Sequence, residues 1–241
     1  MGIFRGPNIV RDGLVFSVDA GSIRSYPGSG TVVTDLSQGV VGVKGSGVLF
    51  NTVNGVNSFQ FTSLNATNLI TFDSGTDDYE FETQTVCIWF RTTTVKQNMD
   101  FVTGTNSTDM SDRWRHQTSN SQGGMKGLEL DWIANQSWSY FSDSIINYDD
   151  GEWHYFCSSY NNTDKTTNLW YDGELNIPSN ENTTQDWTSG SGINRVNIGG
   201  DGAELTSNFI GDISVVKIYN RVLTGDEIKQ NYNAQKNRFN L

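Results

Sequence analysis

The sequence predicts an all-β protein: a sandwich of two antiparallel sheets finished by one short C-terminal helix. Three observations lead there. First, 241 residues with 35% hydrophobic and 12% aromatic content, 25 glycines and many Ser, Thr and Asn suit short strands joined by polar turns. Second, Ile213, Val215, Lys217 and Tyr219 alternate with Ser214, Val216, Ile218 and Asn220, the period of a strand, with apolar groups on both faces. Such a strand is central and needs a second sheet on one side and further cover on the other. Third, no interior linker divides the chain, and at this length roughly 70% of the unfolded surface can be buried, so one large sandwich needs neither metal nor disulfide staple.

The elements follow in order. Leu14, Phe16 and Val18 alternate with Val15, Ser17 and Asp19, a first strand that runs into a polar turn over residues 22–30. Residues 40–50 are interrupted by glycine, which predicts an irregular edge. Phe59 to Phe61 and residues 69–72 are further strands. Residues 85–92 set Val86, Ile88 and Phe90 against Cys87 and Trp89, so this strand too is central. A short strand at 99–103 gives way to 104–127, which is almost wholly polar around Trp114 and predicts a long loop. A strand is expected at 127–134, another near 144–147, and a hairpin pairs 153–160 with 167–172 across a polar tip. Residues 180–192 form a second polar loop, with Trp187 alone in it. Thr224 is a candidate N-cap for a helix over 225–234, with Asp226 and Glu227 in its first turn and Ile228 and Tyr232 four apart. Cys87 and Cys157 are too few for a disulfide framework and predict buried free thiols.

A formal charge of −11 argues against nucleic-acid binding, because a surface that repels phosphate gains nothing from counterion release. It leaves carboxylates available for calcium, and Asp73, Asp77 and Asp78, close together in one turn, are the best local candidates. The competing reading is a solvated turn whose Asp side chains bond their own backbone. No cofactor is required. There is no apolar stretch behind the N-terminal charges and no run of 18 apolar residues, so neither a signal peptide nor membrane insertion is expected.

Within the long loop, Arg113, Trp114, Arg115 and His116 place an aromatic face among three donors, a combination that holds sugar rings by CH stacking and hydroxyl hydrogen bonds. The competing reading has Met110 and Trp114 plugging one end of the sandwich. Trp187 is the second candidate for a glycan- or partner-binding rim. His116 and His154 lie in no catalytic or zinc spacing and are expected to be surface or edge histidines.

A family resemblance enters at residues 211–223. With Asn220-Arg221 after the strand and Glu227-Ile228 opening the helix, they resemble the closing strand of concanavalin A-like, laminin-G-like jelly rolls. Gly151-Glu152-Trp153-His154 and Leu169-Trp170-Tyr171-Asp172-Gly173 resemble that family's paired strands. Residues 13–21, 25–30 and 35–37, and the closing Gln230-Asn231-Tyr232-Asn233-Ala234, resemble the versions in tailed-bacteriophage virion proteins. The resemblance implies a single jelly-roll domain over 12–241, preceded by a docking segment over 1–11. It also implies a virion structural protein, a head decoration or tail-fibre component, made in the host cytoplasm, with other virion proteins and host-surface carbohydrate as partners. The alternatives are a soluble carbohydrate-binding module and a glycoside hydrolase. β-Glucan-cleaving enzymes of this broad fold carry Glu-x-Asp-x-(x)-Glu on one strand; Glu129 and Asp131 fill two places, but Ile133 and Ala134 leave the third without its proton donor. A noncatalytic protein is therefore expected. The family's acidic residue inside the closing strand is replaced by Ser214 and Val215, which counts against a calcium site drawing on that strand.

Overall fold

Two antiparallel sheets stack face to face in the computed structural model, which describes residues 7–75, 79, 83–94, 96, 98–106, 113–119, 127–132, 137–142, 147–176, 180–182, 192–202 and 205–241. Strands are numbered in chain order. The eight-stranded sheet contains β1 (Leu14–Asp19), β4 (Val48–Val53), β5 (Val56–Phe61), β7 (Thr83–Arg91), β12 (Trp153–Asn161), β13 (Thr166–Tyr171), β14 (Glu174–Asn176) and β17 (Gly211–Tyr219). The nine-stranded sheet contains β2 (Val32–Thr34), β3 (Val41–Lys44), β6 (Ile70–Asp73), β8 (Asp100–Thr105), β9 (Arg113–Ser119), β10 (Gly127–Trp132), β11 (Ser137–Ser142), β15 (Asn180–Asn182) and β16 (Arg195–Ile198). Their orders are β14-β13-β12-β7-β17-β5-β4, with β1 also on β17, and β15-β11-β10-β9-β8-β16-β6-β3-β2. This is the expected jelly-roll sandwich with one short helix, α1 (Gly225–Gln235).

The core follows from alternation. Val86, Ile88 and Phe90 of β7, Phe156 of β12 and Val216 and Ile218 of β17 face Ile70, Phe72, Phe101, Val102, Val196 and Ile198 from the other sheet. The closing strand is interior, as its two apolar faces require: β7 runs along one side, while β1 and β5 divide the other, with a register shift between Ile213 and Val215.

The reverse face of β7, β12 and β17 forms a second apolar layer under the chain's C-terminal end. Thr224 and Glu227 close a capping box, and Arg221 clamps the Glu227 carboxylate at 2.7 and 2.9 Å, which holds its pKa down to about 2. The helix lays Tyr232 over Trp89, and the following 3₁₀ turn, Lys236–Phe239, stacks Phe239 on the same indole at 3.9 Å between ring centres. Ile228, Trp153 and Tyr155 fill the rest. Residues from the N-terminal segment join this layer: Val10 is buried and its N–H donates to Asn231 Oδ1 at 2.8 Å, and Gln230 Nε2 donates to the Asn8 carbonyl at 2.7 Å.

Three expectations are corrected. Cys87 and Cys157 are not free thiols: β7 and β12 set them directly opposite one another, Cα atoms 4.1 Å apart, and they are joined as a disulfide in the layer beneath the helix. Residues 40–50 are not one irregular stretch: 41–44 form β3 and 48–50 open β4, in different sheets, and β4 is the edge strand that was expected there. The strand expected near 144–147 falls on residues of which 144–146 lie outside the described ones; β11 covers Ser137–Ser142. The long polar loop over 104–127 is replaced in part by β9, in which Arg113, Arg115 and Gln117 are the outward half of an alternating strand.

Candidate functional site

β9 decides which side chains the nine-stranded sheet turns away from the core. Trp114 and His116 point inward. Trp114 is fully buried and donates from Nε1 to the Tyr79 carbonyl at 3.3 Å, and it has room only because Gly104 stands opposite: a Cβ there would lie 2.1 Å from the indole. His116 hydrogen-bonds through Nδ1 with Ser158 Oγ of the other sheet, and burial presses its pKa down to about 3, so it is a neutral core imidazole.

Arg113, Arg115 and Gln117 alternate with these two and therefore lie on the outer face. Their ladder partners there are Thr105 for Arg113 and Thr103 for Arg115, and the same row continues through Asn197, Thr71, Val43 and Val32. On the other side the backbone ladder continues to β10, where Asp131 is the register partner of Arg115 and Glu129 that of Gln117. One transverse line thus crosses seven strands.

The line changes character along its length. At β8, β9 and β16 the polar side chains are buried and mutually compensated. Arg113 lies 3.4 Å from Asp201, and Arg115 lies 4.0 Å from Asp100. Asn197 Nδ2 donates to the Asp201 carbonyl at 3.1 Å, and Thr103 Oγ1 donates to that of Gly200 at 3.1 Å. Near the sheet edge the groups open to solvent. Arg195 Nη2 holds Asp73 Oδ2 at 2.8 Å with the Asp73 side chain 42% exposed, and Thr71 Oγ1 donates to Asn197 Oδ1 at 3.0 Å. Beside them Val32, Val41 and Val43 form an exposed apolar shelf on β2 and β3. A carboxylate, a guanidinium and a hydroxyl next to an aliphatic shelf can hold the hydroxyls and CH face of a sugar ring together.

The residues singled out in the sequence divide accordingly. Arg113 and Arg115 belong to the buried base of this face. Trp114 and His116 belong to the core and have no exposed surface, because strand alternation, hidden by the polar composition, turns them inward. Trp187, Asp77 and Asp78 lie outside the described residues. Asp73, the remaining calcium candidate, is bound to Arg195, and no group of three or more His, Cys, Asp or Glu poised for a metal occurs among the described residues. Thr71, Thr103, Asn197 and Asp201 were missed. For Asn197 the signal is alternation in Arg195-Val196-Asn197-Ile198, where Val196 and Ile198 face the core and the intervening side chains must face out.

A family model described as the concanavalin A-like lectin/glucanases superfamily matches residues 64–229. The chain belongs to this superfamily. No curated protein sequence matches it. Among solved structures, this lectin/glucanase-type jelly roll is similar to domain 4 of AbnA, an extracellular arabinanase from Geobacillus stearothermophilus, in complex with arabinotriose. That likeness has 12% identity and a TM-score of 0.65 over 91% of this chain and 98% of that one. It is similar also to the botulinum neurotoxin type G receptor-binding domain, at 16% identity and a TM-score of 0.63 over 93% and 52% of the two chains. Trypanosoma rangeli sialidase in complex with the inhibitor DANA gives 13% identity and a TM-score of 0.58 over 95% and 34%. The superfamily member thus spans about half of the toxin domain and a third of the sialidase. No helix among the described residues is long and apolar enough to cross a membrane.

Proposed function

We propose that this chain is a noncatalytic virion structural protein of a tailed bacteriophage, a head decoration or tail-fibre component, whose jelly roll holds host-surface glycan on the outer face of the nine-stranded sheet. The observation that carries the binding reading is the open end of the transverse row, where Asp73, Arg195 and Thr71 adjoin the shelf of Val32, Val41 and Val43. The buried pairs Arg113–Asp201 and Arg115–Asp100 act as its rigid base, since compensated charges fix the outward strands in register. The virion reading is supported by the resemblance of the opening and closing sequences to phage proteins. The noncatalytic reading is supported by Ile133 and Ala134, which give the Glu129 and Asp131 strand no third carboxylate. A soluble carbohydrate-binding module is the second reading; its support is that the chain covers nearly the whole of the AbnA domain, whose structure contains arabinotriose.

The test is a glycan array probed with the wild-type chain and with Arg195→Ala, Asp73→Ala and Trp187→Ala. The expected result is a glycan signal lost on changing Arg195 or Asp73, with no sugar released from the same polysaccharide. An array signal indifferent to Arg195 and Asp73 overturns the site, and released sugar overturns the noncatalytic reading. Detection of the chain on purified virus particles separates the virion protein from the soluble module.

A further inference from the structure

The eight-stranded sheet carries a second transverse polar row, on its own outer face. Gln60 of β5, Asp212 of β17 and Arg91 of β7 are successive ladder partners. They floor a hollow of about 300 Å3 whose sides are Thr62, Thr94 and Ile210. That size is at the small end for ligand pockets and admits one ring rather than a chain of them. No residue of the helix lines the hollow: along β7 the aromatic layer ends at Trp89, two residues before Arg91, and on β12 its Trp153 stands opposite Arg91.

Asp212 is 5% exposed, yet its charge is only partly met. Ser58 Oγ donates to Oδ1 at 2.9 Å, and Arg91 Nη1 lies 3.5 Å from Oδ2 while Arg91 Nε is turned to the Gly151 carbonyl. Burial is the larger influence and raises the carboxyl above its ordinary pKa in spite of both partners. The floor therefore holds an acceptor short of donors. Asp212 and Arg91 leave the lining with no net formal charge, and Gln60 and the threonine hydroxyls supply both donors and acceptors. Gly211, with φ of 145°, carries the strand past the floor; a Cβ there would come within 2.4 Å of the Arg91 carbonyl.

We propose that this hollow binds a single neutral pyranose residue, its hydroxyls bridging Asp212, Gln60 and Arg91 and its CH face resting on Ile210. The site is on the opposite sheet from the Arg195–Asp73 edge and does not depend on it; together they make the molecule bivalent for carbohydrate.

The experiment is an amide NMR titration of the full chain with glucose, galactose, mannose and N-acetylglucosamine in turn, and with the methyl ester of Nα-acetyl-lysine as a cationic probe. At least one sugar is expected to shift the amides of Gly211 and Thr93 in a saturable way. The affinity is expected to fall at least about tenfold in Gln60→Ala and in Asp212→Asn, and to stay unchanged in Arg195→Ala. Thr62→Trp, which fills the hollow from its exposed rim, should abolish the shifts and covers the case in which Asp212→Asn does not fold. The proposal fails if none of these sugars moves Gly211, if the shifts survive Thr62→Trp, or if only the lysine ester binds.

Discussion

The outer faces of the two sheets make opposite use of the same alternation. On the eight-stranded sheet, β7, β12 and β17 present Trp89, Trp153, Tyr155 and Val215 outward, and the chain's own C-terminal end seals them. On the nine-stranded sheet, β8, β9 and β16 present Thr103, Arg115 and Asn197 outward, joined by hydrogen bonds and ion pairs. A sandwich needs only its inner faces to be apolar. The composition of each outer face is therefore free to answer to what covers it, and the two faces of this molecule have been given different covers.

The largest test of that contrast is Trp89→Ala. It removes an indole stacked on Phe239 and Tyr232 and hydrogen-bonded to Gln235, and is expected to lower unfolding free energy by about 3–5 kcal/mol in a urea titration. Asn197→Ala on the opposite face should lose only about 1 kcal/mol. Equal losses would mean that the polar network stabilises as much as the aromatic seal.

Lys217 sharpens the comparison, because it is a cation on the sealed face. Its Nζ donates to Gln235 Oε1 at 3.3 Å, and its natural counter-ion Asp19 is held by Arg238 at 2.7 Å. Burial lowers its pKa to about 8 from 10.5. Between those values the unfolded chain binds a proton that the folded chain does not, so stability rises as pH climbs from about 8 to 10.5, by up to about 3 kcal/mol at roughly 1.4 kcal/mol per unit. Thermal melts of Lys217→Met should be flat across that window and should lie above wild type at neutral pH.

Inside the sandwich, Gly104→Ala drives a methyl group into the Trp114 ring and is expected to cost about 1–3 kcal/mol, read by denaturant midpoint. The smallest effect belongs to His154, held at 2.9 Å by Asp172 and 3.1 Å by Asp150. Burial alone would lower its pKa, but the two carboxylates together outweigh it and raise the pKa above 6.5. Its contribution is complete below 6.5 and is lost as pH rises through the folded-state value. His154→Gln should therefore lose about 1 kcal/mol near pH 5 and less near pH 9.

The strands that were legible in the sequence are those whose inward and outward residues are both apolar, β7 and β17, or whose ends are marked by turns, as in the β12 and β13 hairpin. The helix was legible because Thr224 offers an N-cap, Asp226 and Glu227 follow in the first turn, and Ile228 and Tyr232 stand four apart. β9 was not, because its inward pair is Trp114 and His116 rather than two aliphatics, and its outward residues are charged. Alternation survives there in three dimensions and vanishes in composition. The disulfide was hidden for another reason: only cross-strand register tells that positions 87 and 157 coincide. The polar row of the candidate site draws on β6, β8, β9 and β16, strands far apart in sequence, so no local motif could announce it.

The placement of β17 governs the order of events during synthesis. This strand is the shared neighbour of β1, β5 and β7, yet it is the last of the described strands to leave the ribosome. Until it emerges, the β1, β5 and β7 edges that it will join stay open to any passing strand. Completion of the sandwich thus waits for β17, and a nascent chain stalled before Gly211 should be a client for chaperones rather than a folded intermediate.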